Sequence, residues 1–231
     1  MKIDLHVHTL TSPGGVSSHA AVIRRAIRCG LDGIAVTDHN RVAGIAQVRA
    51  LAPPGFLVIP GVEYTTDHGH VLALFCETFA NDVRRDEKRR FLLSELCPFI
   101  RGQGGLLIAS HPYQHAEYRD GSTPHGLSES LLRQVDGLES VNGRALSRDP
   151  SSRTRTEAAA KDLGFIVTGG SDAHFSLEIG RCYTVFPPDT DRSLPALRDA
   201  LLRGVCTAEG EPGRKWHRAV SKILGKVRSS A

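Results

Sequence analysis

An α/β fold built largely on parallel strands is the architecture this sequence predicts. Short apolar, β-branched runs recur along the chain. Amphipathic stretches of helix length lie between them, an alternation that argues for parallel strands with helical crossovers. Acids and histidines also stand at the ends of the apolar runs, where a parallel barrel opens its active face.

The first strand is KIDLHVH, residues 2–8, in which Ile3, Leu5 and Val7 alternate with Asp4, His6 and His8. Period-two alternation puts His6 and His8 on one face, roughly 7 Å apart along the strand. Two neutral imidazoles so placed can share a metal ion; two solvated histidines on a polar face are the plainer alternative. Helical spacing follows over 17–30, then the strand DGIAVTDH, which ends in Asp38 and His39. A helix over 41–51 leads to FLVIPGVEY, carrying Glu63, and HVLALF follows closely enough to form a hairpin with it. Helical stretches at 82–101 and 126–134 flank GGLLIASH, which ends in His111. DGLESVN is the next strand, and the loop RALSRDPSSRTR is the most irregular region. A helix over 152–163 precedes GFIVTGGSD, with Asp172 and then His174, and RCYTVF and a helix over 193–203 complete the pattern near Val205.

The bulk properties suit one substantial domain. The chain has 231 residues, 40% hydrophobic and 23% charged, enough for a core without staples. No apolar run approaches the roughly 18 residues of a membrane span, and the N-terminus lacks a secretory apolar region, so a cytoplasmic protein without integral membrane association is expected. Five widely spaced cysteines, with no C-x-x-C, argue against a disulfide framework and against a zinc–thiolate site. The net charge of +4 belongs to the tail: residues 212–231 hold six Lys/Arg and no acid, which leaves 23 basic against 25 acidic residues elsewhere. There, Trp216, Val220, Ile223, Leu224 and Val227 lie at helical spacing among basic residues. This reads as a basic amphipathic helix docked on the body; a membrane-surface or nucleic-acid role is the alternative.

Each acid or histidine has a bland reading alone. Asp38 could cap the following helix, His70 could be a satisfied core histidine, and Asp172 could be a turn residue. Five strands finishing in His, Asp or Glu on one barrel face are hard to explain by solvation, and together they read as a metal site.

The pieces DLHVHT, AVTDHN, GVEYTT, HGHVLAL, ASHPY, LESVNG and GGSDAH occur in one order over about residues 1–185. In this the chain resembles the polymerase-and-histidinol-phosphatase (PHP) family. The resemblance implies a distorted (β/α)7 barrel with two or three divalent metals at the C-terminal strand ends. Matched position by position, His6, His8, Glu63 and Asp172 would hold the first metal. Glu63 would bridge to a second, held with His70 and His111, and His39 and His174 would hold a third. The phosphoesterase domain would span 1–210, with a basic tail over 211–231. One segment departs from the family pattern. TLTSPGG has Pro13 and Gly14 where a further ligand is common, with Ser12 and His19 as weak substitutes. A labile third metal is the expectation.

Ligands without thiolates suit Mn²⁺, Zn²⁺ or Fe²⁺. The reaction implied is hydrolysis of a phosphate ester by a metal-bridging hydroxide. Arg144 and Arg181 are candidates to clamp the phosphate, with Arg148, Arg153 and Arg155 as weaker ones; solvated surface arginines are the alternative. Asn142 would support the site, Asp38 would orient His39 or a metal water, and His174 could protonate the leaving oxygen. The substrate expected is a nucleotide or another small phosphomonoester. A 5′–3′ exonuclease on short RNA or DNA is the alternative, and a non-catalytic metal-binding module the third reading. Oligomeric state is open.

Overall fold

The structure is a computed structural model and describes residues 1–114 and 119–229. Seven strands lie side by side in chain order and curl back on themselves. β1 (Lys2–Val7), β2 (Gly33–Val36) and the first part of β3 (Leu57–Thr66) are parallel. From Gly61 onward β3 pairs antiparallel with β4 (Gly69–Leu74), the expected hairpin. β4 is antiparallel to β5 (Leu106–Ala109), after which β5, β6 (Gly137–Asn142) and β7 (Ile166–Gly170) are parallel again.

The residues after β7 then return to β1. Asp172 N–H donates to His6 C=O and His8 N–H to Ala173 C=O, both at 2.9 Å. The result is the distorted, nearly closed seven-strand barrel. Gly170 permits the approach, because a Cβ there would sit 2.4 Å from His6 Cβ and 2.7 Å from His6 N. Buried Asp4 clamps the same seam, accepting from Ser171 N–H at 2.8 Å and Gly180 N–H at 3.0 Å. Two further strands, β8 (Cys182–Val185) and β9 (Thr207–Gly210), extend the sheet antiparallel on the free edge of β1.

Helices cover the outside because each presents one apolar face. α1 (His19–Arg28), capped by Ser18, and α2 (Ala43–Leu51) pack Val22, Ile23, Ile45 and Val48 against Val7, Ile34 and Val36. α3 (Leu93–Gly102), the short α4 (Glu129–Leu132), α5 (Gly143–Arg148) and α6 (Ser152–Leu163) follow the later strands. Leu93, Leu96, Ile100, Leu131 and Ala159 of this set meet Tyr64, Val71, Leu107 and Leu138. α7 (Leu194–Leu202) closes the opposite end of the barrel from the histidines: its Leu197, Ala200 and Leu201 join Ile3, Leu5, Ile59, Leu72 and Ile108. Arg192 and Arg198 tie it to Gly55 and Gly104, which precede β3 and β5.

The structure corrects four local expectations. Residues 82–92 are not helical, since their charged run offers no apolar stripe; Asp86 and Arg90 turn the chain and Phe91 bridges to Thr66. The stretch 144–155 is largely helical, because the Asn142 side chain caps α5 through Arg144 N–H and Ala145 N–H. β9 lies beyond Val205, where the alternation in the sequence ends. The last helix, α8 (Lys215–Ser229), does dock on the body, but through buried His217 and Ser221. Its Trp216, Ile223 and Leu224 stay 47%, 62% and 44% exposed.

Replacing Asp4 with Ala would orphan the Ser171 and Gly180 N–H groups at the seam. The expected loss is about 3 kcal/mol of stability in denaturant unfolding. A loss within the scatter of ordinary surface substitutions would mean that the seam holds without this carboxylate.

Candidate metal centre

Glu63 lies on β3 where that strand exchanges its parallel partner β2 for its antiparallel partner β4. Its carboxylate is buried under five imidazoles. Oε2 stands 3.3 Å from His6 Nε2, 3.2 Å from His8 Nε2 and 3.1 Å from His39 Nδ1. Oε1 stands 3.1 Å from His70 Nδ1 and 3.2 Å from His111 Nε2. Topology explains the convergence. β1, β2, β5 and β7 deliver His6, His8, His39, His111, Asp172 and His174 at or just past their C-terminal ends. β4 runs the other way, so His70 at its start reaches the same rim. His111 (φ 34°) and Asp172 (φ 55°) hold left-handed backbone that non-glycine residues adopt at a cost of about 1–3 kcal/mol, here at two of the converging side chains.

All eight residues expected as metal ligands are therefore brought together. Asp172 Oδ1 lies 3.7 Å from His6 Nε2, 3.4 Å from His8 Nε2 and 3.4 Å from His174 Nδ1. Three groups have donor atoms all within 4.8 Å of one another: His6, His8 and Glu63; His39, Glu63 and His70; and His8, His39 and His174. His8 thus joins the pair expected at a third site. Pro13 and Gly14 add no donor there; Gly14 lies against the His174 ring, where a Cβ would be 3.3 Å from Cδ2. Ser12 is occupied otherwise, its Oγ meeting His8 Nδ1 at 3.2 Å and the His39 N–H at 3.0 Å. His19 bonds Thr11, outside the cluster.

The residues fit divalent cations on three counts. The first is tautomer. His6 Nδ1–H donates to Glu139 Oε1 at 2.9 Å and His8 Nδ1–H to Ser12 Oγ, which leaves two Nε2 lone pairs facing each other at 3.1 Å. Two acceptors at that separation repel unless a cation or proton joins them. The second is satisfaction: Glu63 Oε2 and His39 Nδ1 are buried and, although 3.1 Å apart, make no well-aligned hydrogen bond among the described residues. The third is charge. Burial alone would push Glu63 and Asp172 up, yet the surrounding imidazoles hold both well below the usual carboxylate range. Burial drives His39 down to about 3 and, with His8 and Arg144 beside it, holds His174 well below the ordinary imidazole range. Both are then neutral donors. Burial also opposes charge on His6, His8 and His70, but the nearby carboxylates outweigh it and raise all three. Ionised acids that raise three of the neighbouring histidines favour positive charge at this rim, from a proton or a cation.

The other expected residues fall in different places. Asn142 supports the centre through Nδ2, which donates to Glu139 Oε2 at 2.9 Å. Arg144 lines the cavity of about 190 Å³ over the ligands, beside Arg148. Its guanidinium is held by Glu178 at 3.1 and 2.8 Å and by Ser221 Oγ at 2.8 Å. Arg181 does not line this cavity; it faces a separate one and pairs loosely with Glu211, so its expected clamp role is corrected. Arg153 pairs with Glu157, and Arg155 pairs with Asp149 and covers the Tyr113 ring. Asp38 does not orient His39. Both its oxygens accept from Thr9, at 2.6 Å from N–H and 2.8 Å from Oγ1, which fixes the turn after His8. A neutral His174 suits a metal ligand better than a proton donor to a leaving group. Sequence reasoning missed Glu139, which grips the His6 ring, the His111 N–H and Asn142 at once. The acid in the middle of the expected strand DGLESVN was the available signal. Glu178, which holds Arg144 and the N–H groups of His174 and Phe175, was missed too.

Residues 4–123 match the PHP domain and residues 150–206 the PHP-associated region. The chain belongs to the PHP domain family. It is 28% identical over 187 residues to an uncharacterized protein of Methanocaldococcus jannaschii, covering 80% of this chain and 70% of that one. It is 33% identical over 118 residues to the 5′-3′ exoribonuclease Rnm of Escherichia coli, covering 45% of this chain and 40% of that enzyme. A two-domain protein from Bacteroides vulgatus, containing a predicted PHP-like metal-dependent phosphoesterase, superposes with a TM-score of 0.73 at 21% identity. That match covers 91% of this chain and 65% of the other, and shows the fold. No described helix is long and apolar enough to cross a membrane.

Glu63→Gln is expected to lower the metal-to-protein ratio in elemental analysis and to abolish hydrolysis. A full metal complement with an unchanged rate would remove Glu63 from the bridging position. Glu139→Gln should weaken metal affinity by about 10–100-fold, because the His6 ring loses its anionic brace. Unaltered affinity would restrict Glu139 to bracing the His111 backbone.

Proposed function

We propose that this chain is a metal-dependent phosphoesterase acting on a small phosphate monoester, a nucleotide in our reading. The observation that carries it is a single buried carboxylate, Glu63, with five imidazole nitrogens within 3.3 Å. His6, His8, Glu63 and Asp172 would hold one ion, Glu63, His70 and His111 a second, and His39 and His174 a more labile third. Bound Mn²⁺, Zn²⁺ or Fe²⁺ would supply Lewis acidity toward a phosphoryl oxygen and a water of lowered pKa.

The chain's own residues do the rest. Glu139, Ser12 and the Asp172 carbonyl each take an Nδ1–H, from His6, His8 and His174 respectively, and so aim the Nε2 lone pairs. Arg144 presents a guanidinium on the cavity wall, the planar donor that phosphate geometry favours. Glu178 fixes that guanidinium by two bonds and also holds the His174 backbone, so substrate arginine and ligand histidine share one brace. At about 190 Å³ the cavity admits a phosphoryl group and little more, which leaves the bulk of a substrate outside the rim. That shape selects an ester terminus and is permissive about the remainder.

The similarity to the Escherichia coli exoribonuclease, together with the basic last helix, favours a second reading, a 5′–3′ exonuclease. One pair of substrates separates the two. Given a divalent ion, a nucleoside 3′,5′-bisphosphate should release phosphate and a 5′-phosphorylated RNA oligonucleotide should stay intact; chelator should stop the first reaction. Stepwise mononucleotide release from the oligonucleotide would establish the exonuclease. No release from either, with metal bound, would overturn the nucleotide reading.

A further inference from the structure

A second cavity, of about 470 Å³, lies beside the metal centre and shares no lining residue with it. Its walls come from α1, from the Leu177–Arg181 segment that enters β8, and from the start of α8. Three guanidiniums converge on it from these separate parts of the chain: Arg25, Arg181 and Arg214. Arg25 and Arg214 make no ion pair among the described residues, and Arg181 meets only Glu211, at 3.5 Å, on a carboxylate side chain 81% exposed. The positive charge is therefore largely uncompensated.

Two polar atoms beneath it lack partners. His217 is 4% exposed and lines the cavity, and among the described residues neither its Nδ1 nor the buried Nε of Arg25 has a hydrogen-bond partner. Burial, together with the three guanidiniums, holds His217 below the ordinary imidazole range against the pull of Glu178. An unpartnered imidazole nitrogen and a guanidinium N–H without an acceptor, in a basic cavity, suit an anion with several oxygens. The Trp216 indole packs edge-on to His217 at 4.1 Å between centroids and is nearly half exposed at the cavity wall. It offers a flat apolar face next to the charge.

We propose that this cavity is a second ligand site, separate from the metal centre, that binds a mononucleotide: phosphate on Arg25, Arg181, Arg214 and His217, base against Trp216. A volume of about 470 Å³ lies within the usual range for small-molecule sites, roughly 300–1,000 Å³. The segment after His174 forms one wall, so the ligand would sit against the chain that carries a candidate metal ligand.

The chain holds a single tryptophan, and it lines this cavity, so its fluorescence reports occupancy directly. The full chain, kept in chelator, would be titrated with orthophosphate, AMP and adenosine, by fluorescence and by calorimetry. Saturable binding of phosphate, tighter binding of AMP and far weaker binding of adenosine are expected. Arg25→Gln, at a half-buried position of α1, and Arg214→Gln, at an exposed one, should each weaken AMP binding about tenfold. Glu63→Gln should leave it unchanged. No saturable heat or quench from either anion below about 10 mM would overturn the site. So would unaltered affinity in both arginine variants, or loss of binding in Glu63→Gln. Phosphate binding without added affinity for AMP would overturn the nucleotide assignment in favour of an inorganic anion.

Discussion

The contact on which the rest depends is Glu63 against five imidazoles. A carboxylate buried to this depth would be costly to ionise without compensation. The surrounding rings supply that compensation only if they arrive from four different strands to within about a hydrogen-bond length. This demand accounts for the irregular features of the barrel. β3 changes partner at the residues flanking Glu63, β4 runs backward to bring His70 to the rim, and the chain after β7 closes onto β1 beside His6 and His8. A uniform parallel barrel would present strand starts and strand ends at opposite faces. One reversed strand lets a residue at a strand start join residues at strand ends.

Around this contact lies a layer that settles ring orientation. His6, His8 and His174 each have Nδ1 fixed by an acceptor, so the opposite nitrogen faces inward. Glu139 is the most connected member, joining the His6 ring, the His111 backbone and Asn142. Asn142 in turn caps the helix that starts with Arg144's turn. The geometry of the candidate ligands and the position of Arg144 are therefore set by one hydrogen-bonded chain on β6. Glu178 plays the matching part on the other side, linking Arg144, the His174 backbone and, through Arg144, Ser221 of the last helix. The basic last helix is thus connected to the rim by a guanidinium. Its docking through His217 and Ser221, with Trp216 and Ile223 left outward, also builds the second basic cavity.

Much of this was legible in the sequence. Alternation in KIDLHVH, the acids and histidines closing successive apolar runs, and the ordered PHP-like pieces identified the strands, the barrel and all eight candidate ligands. The strands follow from local periodicity and residue type, which each strand declares with its own residues, whereas the distorted barrel and the ligand set are what the PHP resemblance implied. The hairpin of β3 and β4 was readable for the same reason, since only two residues separate them.

Tertiary structure decided what local pattern cannot encode. Which acid braces which ring depends on strand register across the barrel, and so Glu139 and Ser12 emerged as orienting groups while Asp38 turned to Thr9. Arg144 and Arg181 look equivalent in sequence, each following a strand or ligand motif. The Leu177–Arg181 turn carries one to a different cavity, and Glu178 holds the other at the rim. The last helix shows the limit most clearly: its apolar spacing implied a buried stripe, whereas the polar His217 and Ser221 make the contact. Periodicity determines that a helix has two faces. Only the surface waiting for it, here a guanidinium needing an acceptor, determines which face is buried.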